Sequence, residues 1–337
     1  MTAMKILLTG GMGFIGSHTA TVLLEAGHKV VIYDNLCNSD VTVLDRLETI
    51  TGVRPDFIQG DIRDLDTMSN ALKGIDAVIH FAGLKAVGES VSKPIEYYDN
   101  NVHGTLVLLE AMKINGIKRL IFSSSSTVYG TPTTLPLTEN SPTGTPTNPY
   151  GRSKLHIEEI LADVCISDPD FSVVCLRYFN PIGAHESGLI GENPNGIPNN
   201  LLPYVARVAS GTLSCLRVFG NDYPTPDGTG VRDYIHVMDL ADGHAKAIPY
   251  IMNHTGWIAI NLGCGRGYSV LEVVKAFEKA SGRKVPYQIM PRRDGDIAAN
   301  WADPQRAFNL LGWKAQRNID DMCRDSWNFE AKRSGLE

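Results

Sequence analysis

No apolar stretch of this chain approaches the ~20 residues that a membrane-spanning helix needs, so no membrane partner is expected. Met4 to Leu8 is too short for the apolar region of a secretory leader, and glycines interrupt it at once. No long run of Lys or Arg occurs and the net charge is −6, which argues against nucleic acid as a partner. No Cys-x-x-Cys pair occurs either. The six cysteines (Cys37, Cys165, Cys175, Cys215, Cys264, Cys323) are scattered, several of them in apolar contexts. That pattern reads as free thiols in a reduced, cytoplasmic compartment and gives no reason to expect a metal. Internal repeats and low-complexity tracts are also lacking. What is present is a chain of 337 residues with 43% hydrophobic content, enough for two domains or one large α/β body.

The N-terminal segment carries the first chemical signal. Lys5 to Thr9 is a short apolar run of strand type, followed directly by Gly10-Gly11-Met12-Gly13-Phe14-Ile15-Gly16. A helical stretch runs from Ser17 to Ala26, and a second buried strand from Lys29 to Tyr33 ends in Asp34. Strand, Gly-rich turn, helix, strand and acid is the order that a dinucleotide-binding fold requires. Gly10 permits a tight turn, Gly13 lets backbone N–H groups approach a pyrophosphate, and Gly16 allows close helix–strand packing. The helix N-terminus favours the anion. Asp34 can accept hydrogen bonds from an adenosine ribose. Its carboxylate repels a 2′-phosphate, and Asn35, Leu36 and Cys37 supply no nearby cation, so NAD is favoured over NADP.

Strand candidates at 4–9, 28–33, 55–58, 76–80, 117–123 and 172–178 alternate with helical segments near 17–26, 41–50, 64–72, 93–116 and 150–167. This alternation predicts an α/β fold, a Rossmann-type doubly wound parallel sheet covered by helices. Residues 180–235 are rich in Gly, Pro and Asn and read as long ordered loops. Helices resume at about 238–250, 269–281, 304–311 and 318–333. The expected organisation is a nucleotide-binding domain over 1–180, with a later return of the chain at about 237–250, and a smaller C-terminal α/β substrate lobe over 181–337.

Asn148-Pro149-Tyr150-Gly151-Arg152-Ser153-Lys154 places a tyrosine and a lysine four residues apart at a helix start, on one face. A free phenol titrates near ~10. A cation at ~6 Å in an effective dielectric of ~20 favours the phenolate by roughly 2–3 kcal/mol, and a phenol so lowered can take a proton from a sugar hydroxyl. Taken alone, Tyr-x-x-x-Lys is more often an ordinary surface helix start. The apolar run from Arg119 to Phe122 ends in Ser123-Ser124-Ser125-Ser126, which sets hydroxyls at the carboxyl end of a parallel strand, where ligands sit. Such serines can equally do no more than solvate the strand end.

The Gly-rich start, the Ser-rich strand end and Tyr-x-x-x-Lys together resemble the extended short-chain dehydrogenase/reductase superfamily. Asp34 to Ser39, Phe81 to Ser90, and Gly230-Val231-Arg232-Asp233-Tyr234-Ile235-His236-Val237 are similar to the UDP-glucose 4-epimerase family within it, and the resemblance runs from about residue 4 to residue 327. It implies one tightly held NAD, with Phe14 and Ile15 after the phosphate turn and Asp34, Asn35, Leu36, Cys37, Asn38 and Ser39 around the adenosine ribose. Asp61 and Ile62 flank the adenine. Phe81, Ala82, Gly83, Leu84 and Lys85 run beneath the cofactor, with Lys85 near its phosphates. Asn100 and Phe179 complete the pocket, and Lys154 reaches the nicotinamide ribose. The implied reaction is C4 epimerisation of UDP-glucose and UDP-galactose through a transient 4-keto sugar, with Tyr150 as base, Ser125 as proton relay and Lys154 as the acidifying cation. Arg232 and Arg293 would clamp the diphosphate, Asn180, Asn199 and Asn200 would meet phosphate and sugar oxygens, and Asp296 the uridine ribose. His236 reads as packed scaffold.

One departure concerns Asn300. In the family that position lines the sugar pocket near C2, where a tyrosine restricts the substrate; the smaller Asn leaves room for a 2-acetamido group and so for UDP-GlcNAc and UDP-GalNAc, unless a local shift refills the gap. Rival readings are a nucleotide-sugar 4,6-dehydratase, an NAD-dependent reductase and a non-catalytic NAD-binding module. Related dehydratases carry an acidic pair where Ser126 and Thr127 stand, and a binding module commonly lacks the Tyr or Lys of the active pair. The helices 93–116 and 150–167 correspond to a pair that forms a homodimer in related enzymes, although their apolar stripes can also face the protein's own sheet.

Overall fold

Seven apolar strands form one parallel sheet in the structure, a computed structural model that describes residues 3–293 and 295–336. Its strands are β1 (Lys5–Thr9), β2 (Lys29–Asp34), β3 (Asp56–Gln59), β4 (Ala77–His80), β5 (Arg119–Ser125) and β6 (Ser172–Tyr178), joined later by Gly256–Leu262. Short strands precede that last one: β7 (Asn180–Ile182), β8 (Leu216–Phe219), β9 (Val231–Arg232) and β10 (Tyr234–His236), so Gly256–Leu262 is β11. The sheet order is β11-β6-β5-β4-β1-β2-β3. The chain therefore winds outward one way from β1 through β2 and β3, and the other way through β4, β5, β6 and β11. Strand order reverses between β1 and β4, and a crevice opens there at the carboxyl ends.

The period-two alternation of strand side chains explains why these runs are apolar throughout. Ile6, Leu8, Ile32, Ile79 and Ile121 face one buried layer, together with Leu240 and Ile248 of the helix Val237–Asn253. Leu7, Val31, Val78, Leu120 and Phe122 face the other, with Leu108, Ile157 and Leu161. Residues 201–209, read from sequence as loop, form the helix Leu201–Ala209, whose Pro203 and Asn/Gly/Pro-rich approach disguised it. The segment 93–116 is not one helix: Pro94 starts a short turn of helix, Tyr98–His103 is a π-helix, and Gly104–Ile114 is α-helical. The remaining strands β12 (Tyr268–Ser269), β13 (Tyr287–Met290) and β14 (Ala299–Asn300) pair with β9, β8 and β9 respectively. They enclose a second core around Val205, Val218, Phe277 and Met322.

Candidate functional site

The crevice begins at the turn after β1. Gly10 takes φ +67°, and a Cβ there would lie 2.7 Å from the Ala82 nitrogen. A Cβ on Gly16 would lie 2.5 Å from the Gly10 carbonyl oxygen. Gly13 differs: its Cβ position meets only the Gly10 oxygen, at 3.3 Å, and otherwise looks into open space. Gly13 is also the N-cap of the helix Phe14–Glu25, with no side chain capping it and no acid in the first turn. The turn is thus a cradle of free backbone donors with room over Gly13, which fits a pyrophosphate. Asp34 ends β2 beside it, accepting from Met12 N at 3.0 Å, Leu36 N at 2.9 Å and the Ser39 hydroxyl at 2.9 Å. Leu36 adopts φ +61°, a left-handed conformation that folds the Asn35–Ser39 segment back on the carboxylate. Cys37 and Asn38 are exposed.

Asp61 lies at the same edge, where its carboxylate takes the Arg63 fork and the Asn35 amide. The Arg63 hydrogen bonds hold it well below the usual carboxylate range. The Ile62 side chain points the other way, into the core against Gly104, so only its main chain is left to line the crevice.

Phe81 to Lys85 follow β4. Phe81 N donates to Thr9 O at 3.0 Å and Ala82 N to the Thr9 hydroxyl at 3.3 Å, and the Phe81 ring packs on His244. Leu84 is pinned by Asn101, whose Oδ1 accepts from Leu84 N at 2.8 Å and whose amide donates to Leu84 O at 3.0 Å. Asn101 also donates to the Ser153 hydroxyl at 3.1 Å, while Asn100 merely donates to Asn101. The organising side chain is therefore Asn101, which sequence reasoning passed over for its neighbour; the π-helix that turns it inward leaves no mark in the residue pattern. Lys85 pairs with Glu192 Oε1 at 3.0 Å, and Glu192 also accepts from the Asn200 amide at 2.6 Å.

Tyr150 and Lys154 come from the helix Pro149–Ser167, which Asn148 caps by accepting from Gly151 N at 2.9 Å. Ser125 ends β5 beside the Tyr150 phenol, and its hydroxyl accepts from Thr127 N at 3.3 Å. The expectation that Lys154 lowers this phenol is not met. Burial pushes Tyr150 up, and the force pulling it down is the Ser125 hydrogen bond. Lys154 donates instead to Ser123 O at 2.7 Å and lies over the Phe122 ring. Burial lowers Lys154 itself to about 8. Tyr178, at the end of β6, hydrogen-bonds the Ser123 hydroxyl, and Phe179 is buried beside Leu155.

The C-terminal lobe brings some of the expected residues together. Arg232 faces Asp296 at 3.8 Å, and the Arg293 guanidinium sits 3.8 Å over the Phe219 ring. Phe219 is a platform that sequence reasoning missed, since a lone Phe in a short strand carries no motif. Asn180 begins β7 beside Asp233, donating its N–H to Asp233 O at 3.0 Å. Asn199 is exposed, and Asn200 is tied to Glu192 rather than free. Asn300 is 7% exposed and its side-chain oxygen lacks a partner. His236 accepts from Met238 N and meets Asp325 at 3.1 Å, wholly buried in scaffold.

A phosphate cradle at a strand switch, facing a Ser at the end of β5 and a Tyr–Lys pair on the helix that follows, defines a nucleotide-dependent short-chain dehydrogenase/reductase fold. Residues 7–326 match the family described as GDP-mannose 4,6 dehydratase, which lies in the extended branch of that superfamily. The chain belongs, more narrowly, to the UDP-glucose 4-epimerase family. It is 59% identical over 327 residues to UDP-glucose 4-epimerase of Neisseria meningitidis serogroup C, with 96% of each chain covered. The UDP-glucose 4-epimerase of Bifidobacterium longum, solved with NAD+ and UDP, superposes with a TM-score of 0.95 at 58% identity, covering 97% of this chain and 98% of that one. That of Stenotrophomonas maltophila, solved with NAD and formylated UDP-arabinopyranose, gives 0.96 at 50% identity over 99% and 100% of the two chains.

Proposed function

We propose that this protein interconverts UDP-glucose and UDP-galactose at C4 with a tightly held NAD. The observation that carries the reading is the placement of Tyr150 and Lys154, on one face of a helix, beside the Ser125 end of β5 next to the nucleotide crevice. NAD, when bound, supplies an acceptor that takes the C4 hydride and returns it to either face, and its positive ring favours the phenolate. The residues that would hold it are Gly10, Gly13 and Gly16 with the first turn Phe14–Ile15, the Asp34–Ser39 segment, Asp61 and the Ile62 main chain, Phe81 to Lys85, Asn100 and Phe179. Tyr150 removes the 4-hydroxyl proton, and Ser125 orients and relays it. Lys154, fastened to β5, keeps a positive charge beside the phenol. The sugar passes through a 4-keto form and turns over before the proton returns.

Arg232 and Arg293 hold the diphosphate, Asp296 the uridine ribose, and Asn180, Asn199 and Asn200 the remaining oxygens. In this division of labour residues 1–180, with the returning helix Val237–Asn253 and strand β11, serve the cofactor, and most of 181–337 serves the UDP-sugar. The test offers UDP-galactose without added cofactor and identifies the product by NMR. UDP-glucose is the expected product; no turnover, or turnover only with NAD supplied in equimolar amounts, ends the reading.

Asn300 supports a second reading of range. A buried carbonyl oxygen without a partner can accept the N–H of a 2-acetamido group, so UDP-GlcNAc and UDP-GalNAc are proposed as further substrates. The dimer is also a proposal. Ile95 and Leu106 are 81% and 47% exposed on the helices that flank Tyr98 and His156, an apolar face suited to a second copy. Sedimentation should give a dimer, and Leu106→Glu a monomer. We place the reaction in the cytoplasm; six free cysteines support that setting.

A further inference from the structure

Beneath the serines lies a buried charged network that the proposed chemistry does not use. Glu158 sits two turns below Tyr150 and one below Lys154, on the same face of the helix Pro149–Ser167. Its carboxylate accepts Nε of Arg177 at 2.9 Å and also the Arg177 Nη2, a forked pair with side chains 4% and 3% exposed. Ser124, the residue before Ser125, donates its hydroxyl to the same carboxylate. Ser124 and Arg177 are register partners on β5 and β6. One carboxylate therefore grips both strands at the point where Ser125 and Tyr178 emerge. The other arm of Arg177 donates to the Tyr129 hydroxyl at 3.1 Å. Tyr129 donates to Asn261 at 2.7 Å, and the Asn261 amide to Leu137 O at 3.0 Å. Leu137 N in turn donates to Trp301 O at 2.9 Å, next to Asn300. The network runs unbroken from the Tyr150 helix to the edge of the substrate lobe.

A buried ion pair is a poor device for stability alone, because desolvation offsets its attraction and apolar residues of like volume do as well or better. Its geometry suits another task. A helix gripped at one carboxylate by two adjacent strands is fixed both in rotation and along its axis. We propose that Glu158 and Arg177 are positioning residues that set the register of Tyr150 against Ser125. This inference rests on the epimerase reading for its kinetic test but not for its spectroscopic one.

The experiment compares the wild-type protein with the double variant Glu158→Leu/Arg177→Met, which removes both charges and leaves neither unpaired. A folded double variant should retain its NAD and its KM and lose kcat by up to about 10²-fold, the scale of a misplacement near 1 Å. Independently of turnover, the Tyr150 phenol, followed at 295 nm against Tyr150→Phe, should titrate higher once Ser125 no longer stands beside it. Of the other titratable groups around it, Tyr178 on β6 and Tyr97 opposite are unaltered, while Lys154 on its own helix loses the raising influence of Glu158 but, already lowered to about 8, is neutral where the phenol titrates. Unchanged kcat and an unmoved phenol in the folded double variant overturn the proposal. Should that variant not fold, Ser124→Ala decides: a fall in kcat of about fivefold at constant KM, the scale of one lost hydrogen bond, supports it, and no change overturns it. If the wild type itself turns over no UDP-sugar, the epimerase reading fails, and the phenol titration still judges the register.

Discussion

Lys154 donates to the Ser123 carbonyl at 2.7 Å, and its ammonium stands 6.0 Å from the centroid of the Tyr150 ring. The cation is thus anchored to the strand and held near the phenol, where the proposed reaction would use its charge. Because burial lowers Lys154 to about 8, the positive charge that the proposed reaction places beside Tyr150 is present below that pH and lost above it. kcat should therefore fall as pH rises through about 8. In Lys154→Arg the guanidinium stays protonated to beyond ~12, so the alkaline fall should vanish even though the altered shape lowers kcat throughout. A pH–rate profile of both proteins checks this, and a shared alkaline limb would sink it. Tyr150→Phe should keep its NAD and lose about 10³-fold in kcat, within the range of a lost general base.

The glycines of the phosphate turn separate folding from binding. Gly16→Ala drives a Cβ to 2.5 Å from backbone oxygen at Gly10, and neither atom can yield without opening the turn. That variant should lose both Tm and cofactor. Gly13→Ala meets one atom at 3.3 Å and otherwise fills the space over the turn. Its Tm without cofactor should stay within a few degrees of wild type while NAD retention after gel filtration drops. Equal behaviour of the two variants would contradict the assignment of that space to a ligand.

Buried histidines make the fold sensitive to acid. Desolvation lowers His18 and His80 to about 3 and His244 to about 4. The unfolded chain takes up these protons near ~6.5, so between that pH and the folded values the unfolded state binds more protons. Stability from each histidine is complete above ~6.5 and declines as pH falls, by about 2 kcal/mol each at pH 5. Tm should drop between pH 7 and pH 5. In His18→Leu the drop should be smaller, and an undiminished drop would show that His18 is not one of its sources.

Much of the nucleotide half was legible because local signals and tertiary structure agree there. The strands around Ile6, Val31, Val78, Ile121 and Val174 are apolar on both faces, and Gly and Asp mark the turns between them. Tyr150, Ser125 and Asp34 were legible for the same reason: each sits where a regular element ends. The rest depends on contacts that no local pattern encodes. β11 was missed because Trp257 to Leu262 follows a long helix, and only pairing with β6 reveals it as sheet. Helix Leu201–Ala209 was hidden by Pro203 and its flanking loops. Asn101 differs from Asn100 only through the π-helical turn, and the Glu158–Arg177 pair joins residues 19 apart whose shared burial appears only once β6 lies under the helix. The upward displacement of the Tyr150 phenol belongs to this group as well, since it arises from dryness and not from spacing.

Asn300 turns substrate range into a question of one side chain. It lies in β14, paired with Arg232 of β9, and its main-chain oxygen accepts from Asp233 N at 2.9 Å, so the backbone is fixed on both sides. The side chain is nearly closed off from solvent, yet its oxygen has no donor. An unpaired buried acceptor costs about 1–3 kcal/mol, which an incoming N–H can recover. UDP-GalNAc should therefore be turned over at a rate well above background. Asn300→Tyr adds a ring and removes the amide acceptor. It should abolish UDP-GalNAc turnover while leaving UDP-galactose within about tenfold of wild type, because the pocket contracts at the substituent and not at C4. Parallel assays on both sugars decide the matter. Background rates with UDP-GalNAc in the wild type, beside normal rates with UDP-galactose, would mean that neighbouring side chains already fill the space that a tyrosine would take.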